Sequence, residues 1–281
     1  MPDKDPYKNI VWLASYPKSG NTWLRVFLAN YLFNTDRPIP LDQLHRVALG
    51  DAHAGPYRIV AKGSINPADE VAMLALRPAV LKAITANKSD INLVKTHNQN
   101  TRVNCVQLFP ANLTKLAVYI IRNPLDMLLS YADHYGLPVA TAAEAISSPS
   151  NMVVPGSNNV AQYLGNWSDH VLSWTRARDF PVLTLRYEDA KDDPKATFTK
   201  MLRRMGVPLD DARLERAIEF SSFGELRKQE DEKGFAEKSD HADRFFRSGE
   251  SGRWRTELPA EVVERVCTLH GRVMKRHGYL P

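Results

Sequence analysis

YPKSGNTW, residues 16–23, follows directly on the apolar run NIVWLAS at 9–15. A strand runs into a polar turn carrying a lysine, two hydroxyls and a glycine, and the chain then restarts with helical spacing. That order is a common way to hold a phosphate, because the first N–H groups of a helix have no partner inside it. The turn therefore raises the question of which anion the protein grips. After it, Trp23, Leu24, Phe27, Leu28, Tyr31 and Leu32 recur at helical intervals, which predicts an apolar face packed on a sheet.

Working outward, INLVKTH (91–97), KLAVYIIR (115–122) and FPVLTLRY (180–187) are further β-rich runs, with helical patterns between or after them. The alternation predicts an α/β fold, a central parallel sheet flanked by helices, with 16–23 as a P-loop-like strand–turn–helix. Asp193 and Pro194 start one helix as N-cap and first residue. Phe198, Met201, Leu202 and Met205 line it and Gly206 ends it. Pro259 opens a C-terminal helix reaching about Gly278. Two polar stretches, 145–159 and 227–246, read as loops. The second is charged and nearly without aliphatic residues, the composition of a mobile lid. With 281 residues, 43% of them hydrophobic, one domain over 1–281 is preferred to two small ones.

Two cysteines far apart, Cys105 and Cys267, make neither a disulfide framework nor a C-x-x-C site. MPDKDPYKN at the start has no apolar signal core, and no stretch approaches the ~18 uninterrupted apolar residues of a spanning helix. The expectation is a soluble cytoplasmic protein without a membrane span. A net charge of +5 suits an anionic ligand. Nucleic acid would call for a basic run, which is absent from the sequence, so a small anion is preferred.

The nearest rival motif, the kinase and ATPase P-loop, reads G-x-x-x-x-G-K-[ST] and uses its hydroxyl to hold Mg²⁺. Here Lys18 comes before Ser19 and Gly20, and Asn21 and Thr22 follow. The other strands end without an aspartate to hold a metal; KLAVYIIR ends in Arg122 and leads into NPLD. The turn says phosphate, while the residue order argues against metal-assisted phosphoryl transfer. The plain alternative is an ordinary strand-to-helix turn.

YPKSGNTW resembles the 5′-phosphosulfate loop of the cytosolic-type sulfotransferases, which use 3′-phosphoadenosine 5′-phosphosulfate (PAPS) and leave the bisphosphate PAP. Four further stretches resemble that family in the same order, from residue 10 to 255. IIRNPLDMLLSYADHY resembles its 3′-phosphate segment, which implies Arg122 and Ser130 on that phosphate. VKTH resembles the strand end bearing lysine and the catalytic histidine, here Lys95 and His97. LGNWSDHVLSW followed by LRYEDAKDDP resembles the late helix and strand with an adenine-contacting tyrosine, here Tyr187. FFRSGESGRW resembles the element that closes over the 3′-phosphate, through Arg247, Ser248 and Gly249; Ser248 stands where the family often has lysine. The resemblance also puts Trp23 and Phe223 against adenine, with Ser221 in place of a usual threonine.

The chemistry implied is in-line transfer of a sulfuryl group, with no metal. His97 would take the proton from an acceptor hydroxyl or amine. Lys18, with the helix N–H groups, would neutralise charge on the bridging oxygen. Lys95 and Ser130 would complete the set, since a sulfuryl group carries less negative charge than a phosphoryl group. The fork of Arg122 suits a phosphate. Each residue has a plain alternative: Trp23 in the core, Arg122 in an ion pair, Tyr187 as packing, His97 as a satisfied core histidine. The acceptor has no legible motif, and a small molecule, glycan or natural-product scaffold all fit. Asn98 after the histidine hints at a polar acceptor. The family's short dimer motif is not recognisable in RWRTELPAEVVERV, so the oligomeric state stays open. Two rivals remain: a P-loop nucleotide kinase needing ATP and Mg²⁺, and a non-catalytic nucleotide-binding protein.

Overall fold

A computed structural model describes residues 7–87 and 89–280. Residues 1–6, which open the segment read above for a signal core, lie outside the described residues. Five strands form one sheet: β1 (Ile10–Ser15), β2 (Leu49–Gly50), β3 (Asn92–Thr96), β4 (Thr114–Ile121) and β5 (Val182–Arg186). Their order is β2-β3-β1-β4-β5, and every neighbouring pair is parallel. β1 lies at the centre, fully buried along its length. This is why it reads as a continuous apolar run: a strand covered on both faces has no solvent side to keep polar.

The two-residue alternation of the strands divides the core. Ile10, Trp12, Ala14, Val94, Ala117, Tyr119 and Ile121 belong to one layer, and Val11, Leu13, Leu93, Leu116, Val118 and Ile120 to the other. The second layer is covered by α1 (Asn21–Phe33) through Leu24, Phe27, Leu28 and Tyr31. Leu32, expected on the same stripe, is instead an exposed apolar residue. The first layer is covered by α2 (Pro124–Tyr135), α3 (Trp167–Thr175) and the C-terminal helix Ala260–Arg276. The helix predicted after Asp193 spans Pro194–Met205; the Asp193 carboxylate accepts from Ala196 N, and Gly206 closes it at φ +75°.

The expected loops are only partly irregular. Residues 145–159 begin inside a helix, Val139–Ser147, and then contribute Met152–Val153 to a two-stranded ribbon with Gln162–Tyr163. The stretch 227–246 starts within a helix too, α4 (Phe223–Lys233), and loses regular structure only after it. Periodicity misses α4 because it buries so little, Leu226 and Glu230 being its buried residues. What makes it helical is local. The Ser222 hydroxyl accepts from Glu225 N, and Gln229 donates to Glu225 one turn back. Among the described residues no helix is long and apolar enough to cross a membrane.

Candidate active site

A cavity of about 420 Å³ opens at the carboxyl edge of the sheet, where open α/β folds place ligands. The residues named from the sequence line it, except Ser19, Ser221 and Asn98, whose buried amide bonds Asp51 instead of facing an acceptor. Ser19 is buried with no partner for its hydroxyl among the described residues. Ser221 turns inward, its hydroxyl donating to the carbonyl of Ala217 at 2.7 Å. Tyr187, read as a strand end, is the first residue of the short helix Tyr187–Asp192.

The turn after β1 owes its shape to two residues in left-handed backbone, Lys18 at φ +66° and Gly20 at φ +106°. At Gly20 a Cβ would also stand 2.8 Å from Cδ2 of Tyr187, so the position excludes side chains twice over. Asn21 bonds the turn back onto the sheet, its amide donating to the carbonyl of Leu13 at 2.8 Å. α1 therefore starts against the cavity with no side-chain cap and no acidic residue in its first turn. Its first N–H groups are left for an anion. Burial lowers the Lys18 ammonium to about 8, against the opposing pull of Asp133 and Glu237. Its Nζ lies 3.5 Å from the ring centroid of Phe245.

At the end of β3, His97 Nδ1 lies 2.9 Å from the carbonyl oxygen of Ser15. A carbonyl can only accept, so Nδ1 carries the proton and Nε2 keeps its lone pair. Burial, then the neighbouring Lys95 cation, hold the imidazole well below its usual range, so it is neutral near pH 7. The His97 carbonyl accepts from His170 Nε2 at 3.0 Å, and His170 is in turn bonded to Tyr119. His170 lies inside LGNWSDHVLSW, where its helical spacing from Trp167 and Trp174 marks it only as a buried position.

Arg122 donates to the carbonyls of Lys18 and Glu250 and lies 4.5 Å over the Tyr187 ring, its Nε buried without a partner among the described residues. Ser130 faces the same cavity from α2. Across it runs the irregular segment 234–253. Gly249, at φ +64°, packs so closely that a Cβ would meet Phe223 Cδ2 at 2.6 Å. Arg247 pairs with Asp133 at 3.4 Å. Arg253 also lines the cavity, donating to the Ser248 hydroxyl at 2.7 Å while its guanidinium pairs with Glu257 at 2.6 Å. Trp23 lines the cavity and also packs against neighbours, meeting Tyr187 and Phe198 edge-on at 5.6 and 5.4 Å.

Among the residues that escaped the sequence reading are Glu237, which lines the cavity, and its partner Arg25. Glu237 Oε2 lies 2.6 Å from Arg25 and 3.4 Å from both Lys95 Nζ and Thr22 Oγ1. Burial opposes its charge, but Lys95 and Arg25 together hold the carboxyl well below the usual carboxylate range. Arg25 sits one turn after Thr22 on α1 and is itself buried. Glu237 lies in a charged stretch, Arg25 in an apolar one, and nothing local marks either. Among the described residues no cluster of three His, Cys, Asp or Glu side chains is placed to hold a metal ion.

The sulfotransferase domain model matches residues 8–278. The chain belongs to that family. It is 28% identical over 270 residues to dog sulfotransferase 1B1, covering 93% of this chain and 82% of that protein. It is 25% identical to cytosolic sulfotransferase 10 of Arabidopsis thaliana, covering 97% and 80%. Among solved structures, mouse SULT7A1 complexed with PAP aligns at a TM-score of 0.60 with 21% identity, over 95% of this chain and 85% of that one. Retinol dehydratase in complex with androsterone and inactive cofactor PAP aligns at 0.63 with 18% identity, over 98% and 82%. These similarities match the fold from end to end.

Proposed function

We propose that this sulfotransferase moves the sulfuryl group of PAPS onto the hydroxyl or amine of a small acceptor, with His97 as the base. The observation that carries the reading is the neutral imidazole of His97, its Nδ1 bonded to Ser15 and its Nε2 without a partner among the described residues, in one cavity with Lys18 and Lys95. The fit to a 3′,5′-bisphosphate rests on this chain's own features. These are an uncapped helix start, an orphaned Arg122 Nε, and two glycine cradles that side chains would fill.

PAPS, when bound, supplies an activated sulfuryl group on an anionic leaving phosphate. Lys18 and the α1 N–H groups hold the 5′ end and neutralise charge on the departing oxygen. Arg122, Ser130, Arg247 and the Gly249 backbone take the 3′-phosphate, and Trp23, Phe223 and Tyr187 the adenine. Lys95 faces the transferring group from β3. His97 Nε2 removes the acceptor proton as the new O–S or N–S bond forms. Leu129, Tyr135, Val153 and Gln162 line the cavity beside these groups and give the acceptor a mixed apolar and polar wall. The reaction belongs in the cytoplasm, as the names of two relatives say of those proteins.

The test is transfer from labelled PAPS, in chelator, to a panel of alcohols, phenols, amines and sugars, with PAP and AMP titrated calorimetrically beside it. Transfer without added metal, and PAP binding far tighter than AMP, are expected. Charge-assisted bonds contribute roughly 1.5–3 kcal/mol each. Equal affinities for PAP and AMP would remove the 3′-phosphate site. Phosphoryl transfer from ATP with Mg²⁺ would restore the kinase reading.

A further inference from the structure

Behind the catalytic edge, outside the cavity, lies a buried ion pair. Asp51, directly after the edge strand β2, is 2.8 Å from Arg77, and both side chains are almost wholly buried. The same carboxylate oxygen that meets Arg77 also accepts from Thr96 Oγ1 at 2.9 Å and from Asn98 Nδ2 at 3.0 Å. Thr96 and Asn98 are the two residues that flank His97. The Asp51 N–H donates to the carbonyl of Lys95 at 3.0 Å, and the Thr96 hydroxyl accepts from Asn98 N at 3.0 Å. Lys95, Thr96 and Asn98 are thus all tied to Asp51, while His97 between them makes its own bonds to Ser15 and His170.

The energetics point to geometry. A buried ion pair gains little net stability over apolar residues of the same volume, because desolvation offsets the attraction. What it does provide is direction, since a carboxylate oxygen with three donors fixes all three. Arg77 is held from behind, donating also to the carbonyl of Leu108 at 3.1 and 3.2 Å. The far side of Asn98 is bonded as well, its Oδ1 accepting from Tyr163 N at 2.7 Å and its carbonyl from Trp174 Nε1 at 3.1 Å. The residues on both sides of the imidazole are thus each bonded at several points.

We propose that Asp51 is a positioning residue for His97: through Thr96 and Asn98 it fixes the backbone on both sides of the imidazole, so that Nε2 is presented to the acceptor. Asp51 touches neither donor nor acceptor, and its effect falls on turnover rather than on nucleotide binding. The inference rests on the reading of His97 as the base.

Three variants test it. Thr96→Val keeps the volume and the buried ion pair but removes the hydroxyl from both of its bonds; Thr96→Ser restores the hydroxyl; Asp51→Asn removes the charge. Histidine ring nitrogens are followed by ¹⁵N NMR in the PAP complex, PAP affinity by calorimetry, and turnover with whichever panel acceptors the unaltered chain uses. The unaltered chain and Thr96→Ser should show His97 as the single Nδ1–H tautomer. Thr96→Val should show a mixture of tautomers, PAP affinity within about twofold, and kcat reduced on the order of tenfold to a hundredfold, the scale of a small misplacement of a reacting group. Asp51→Asn should do the same wherever it folds, and Thr96→Val carries the test where it does not. A single Nδ1–H tautomer in Thr96→Val would overturn the proposal, as would a loss of PAP affinity that matches the loss of turnover. If His97→Ala itself kept full turnover, the base assignment would fall, and that result is distinct from a normal Thr96→Val beside an inactive His97→Ala.

Discussion

Gly20 and Gly249 do similar work on opposite walls of the cavity, and the walls are held differently. The turn at Gly20 hangs from β1, with Asn21 bonded to Leu13 and Arg122 bonded to the Lys18 carbonyl. The segment around Gly249 belongs to no sheet or long helix and is tied down by side chains. The Glu230 carboxylate of α4 accepts from the N–H groups of Phe245 and Phe246, Asp126 from those of Gly252 and Trp254, and Glu237 reaches across to Arg25. Backbone pairing holds one wall at many points at once, whereas the other is held by side chains: a few carboxylates and the apolar packing of Phe235 and Phe246. The donor site is thus a rigid cradle facing a strap.

The largest expected effect falls on the rigid side. His97→Ala should lower kcat roughly 10² to 10⁴-fold with an alcohol acceptor, the usual cost of losing a general base, while PAP affinity by calorimetry stays the same. A comparable loss of PAP affinity would mean that the imidazole shapes the nucleotide site, and the division between chemistry and cradle would be broken. Next comes the pair of glycines. Gly20→Ala forces a side chain into left-handed backbone and into the Tyr187 ring, which the sheet cannot yield, so PAP affinity should drop by roughly tenfold or more. Gly249→Ala meets Phe223 from a segment without sheet pairing, and the drop should be a few-fold, on the order of 1 kcal/mol or less. Equal losses at the two positions would show that the strap is as stiff as the cradle.

A pH series sharpens the same contrast. The Lys18 ammonium titrates at about 8 in the ligand-free chain, so the cation is present below that pH and lost above it. Accordingly kcat/KM, which reports the free enzyme, should fall about tenfold per pH unit beyond that point. His97 is held below its ordinary range, so its neutral form persists on the acid side. No fall in kcat/KM should appear until the pH is well under the usual histidine value of about 6.5. An acid limb near 6.5 would contradict the burial of His97. The smallest effect belongs to the strap: Glu230→Gln should speed amide exchange across 234–253 and weaken PAP a few-fold, leaving 16–23 as protected as before. Unchanged exchange there would show that the strap is held by its packing alone.

The legible part of the site was local in origin. The polar turn, the helix start behind it and the histidine closing an apolar strand are features of consecutive residues, and the structure places them at one sheet edge. Ser221 and Ser19 show where motif matching stops, because a residue type in the right place still points where its own backbone sends it. The loop reading of 227–246 missed α4 for a related reason. GELRKQEDEK has the capping and the i,i+4 contacts of a helix but not the apolar stripe by which helices are usually found.

The sequence alone determined four of the five sheet strands, the strand–turn–helix at 16–23 and the candidate base, since strand alternation and helix capping are set by neighbours in the chain; the edge strand Leu49–Gly50 and α4 escaped it. Tertiary structure decided which charges meet. Arg25 and Glu237 are 212 positions apart, Arg77 and Asp51 are 26 apart, and no periodicity links either pair. Their meeting depends on how α1, the strap and the edge strand pack around a shared site, where burial makes each charge need a partner and only the fold supplies one.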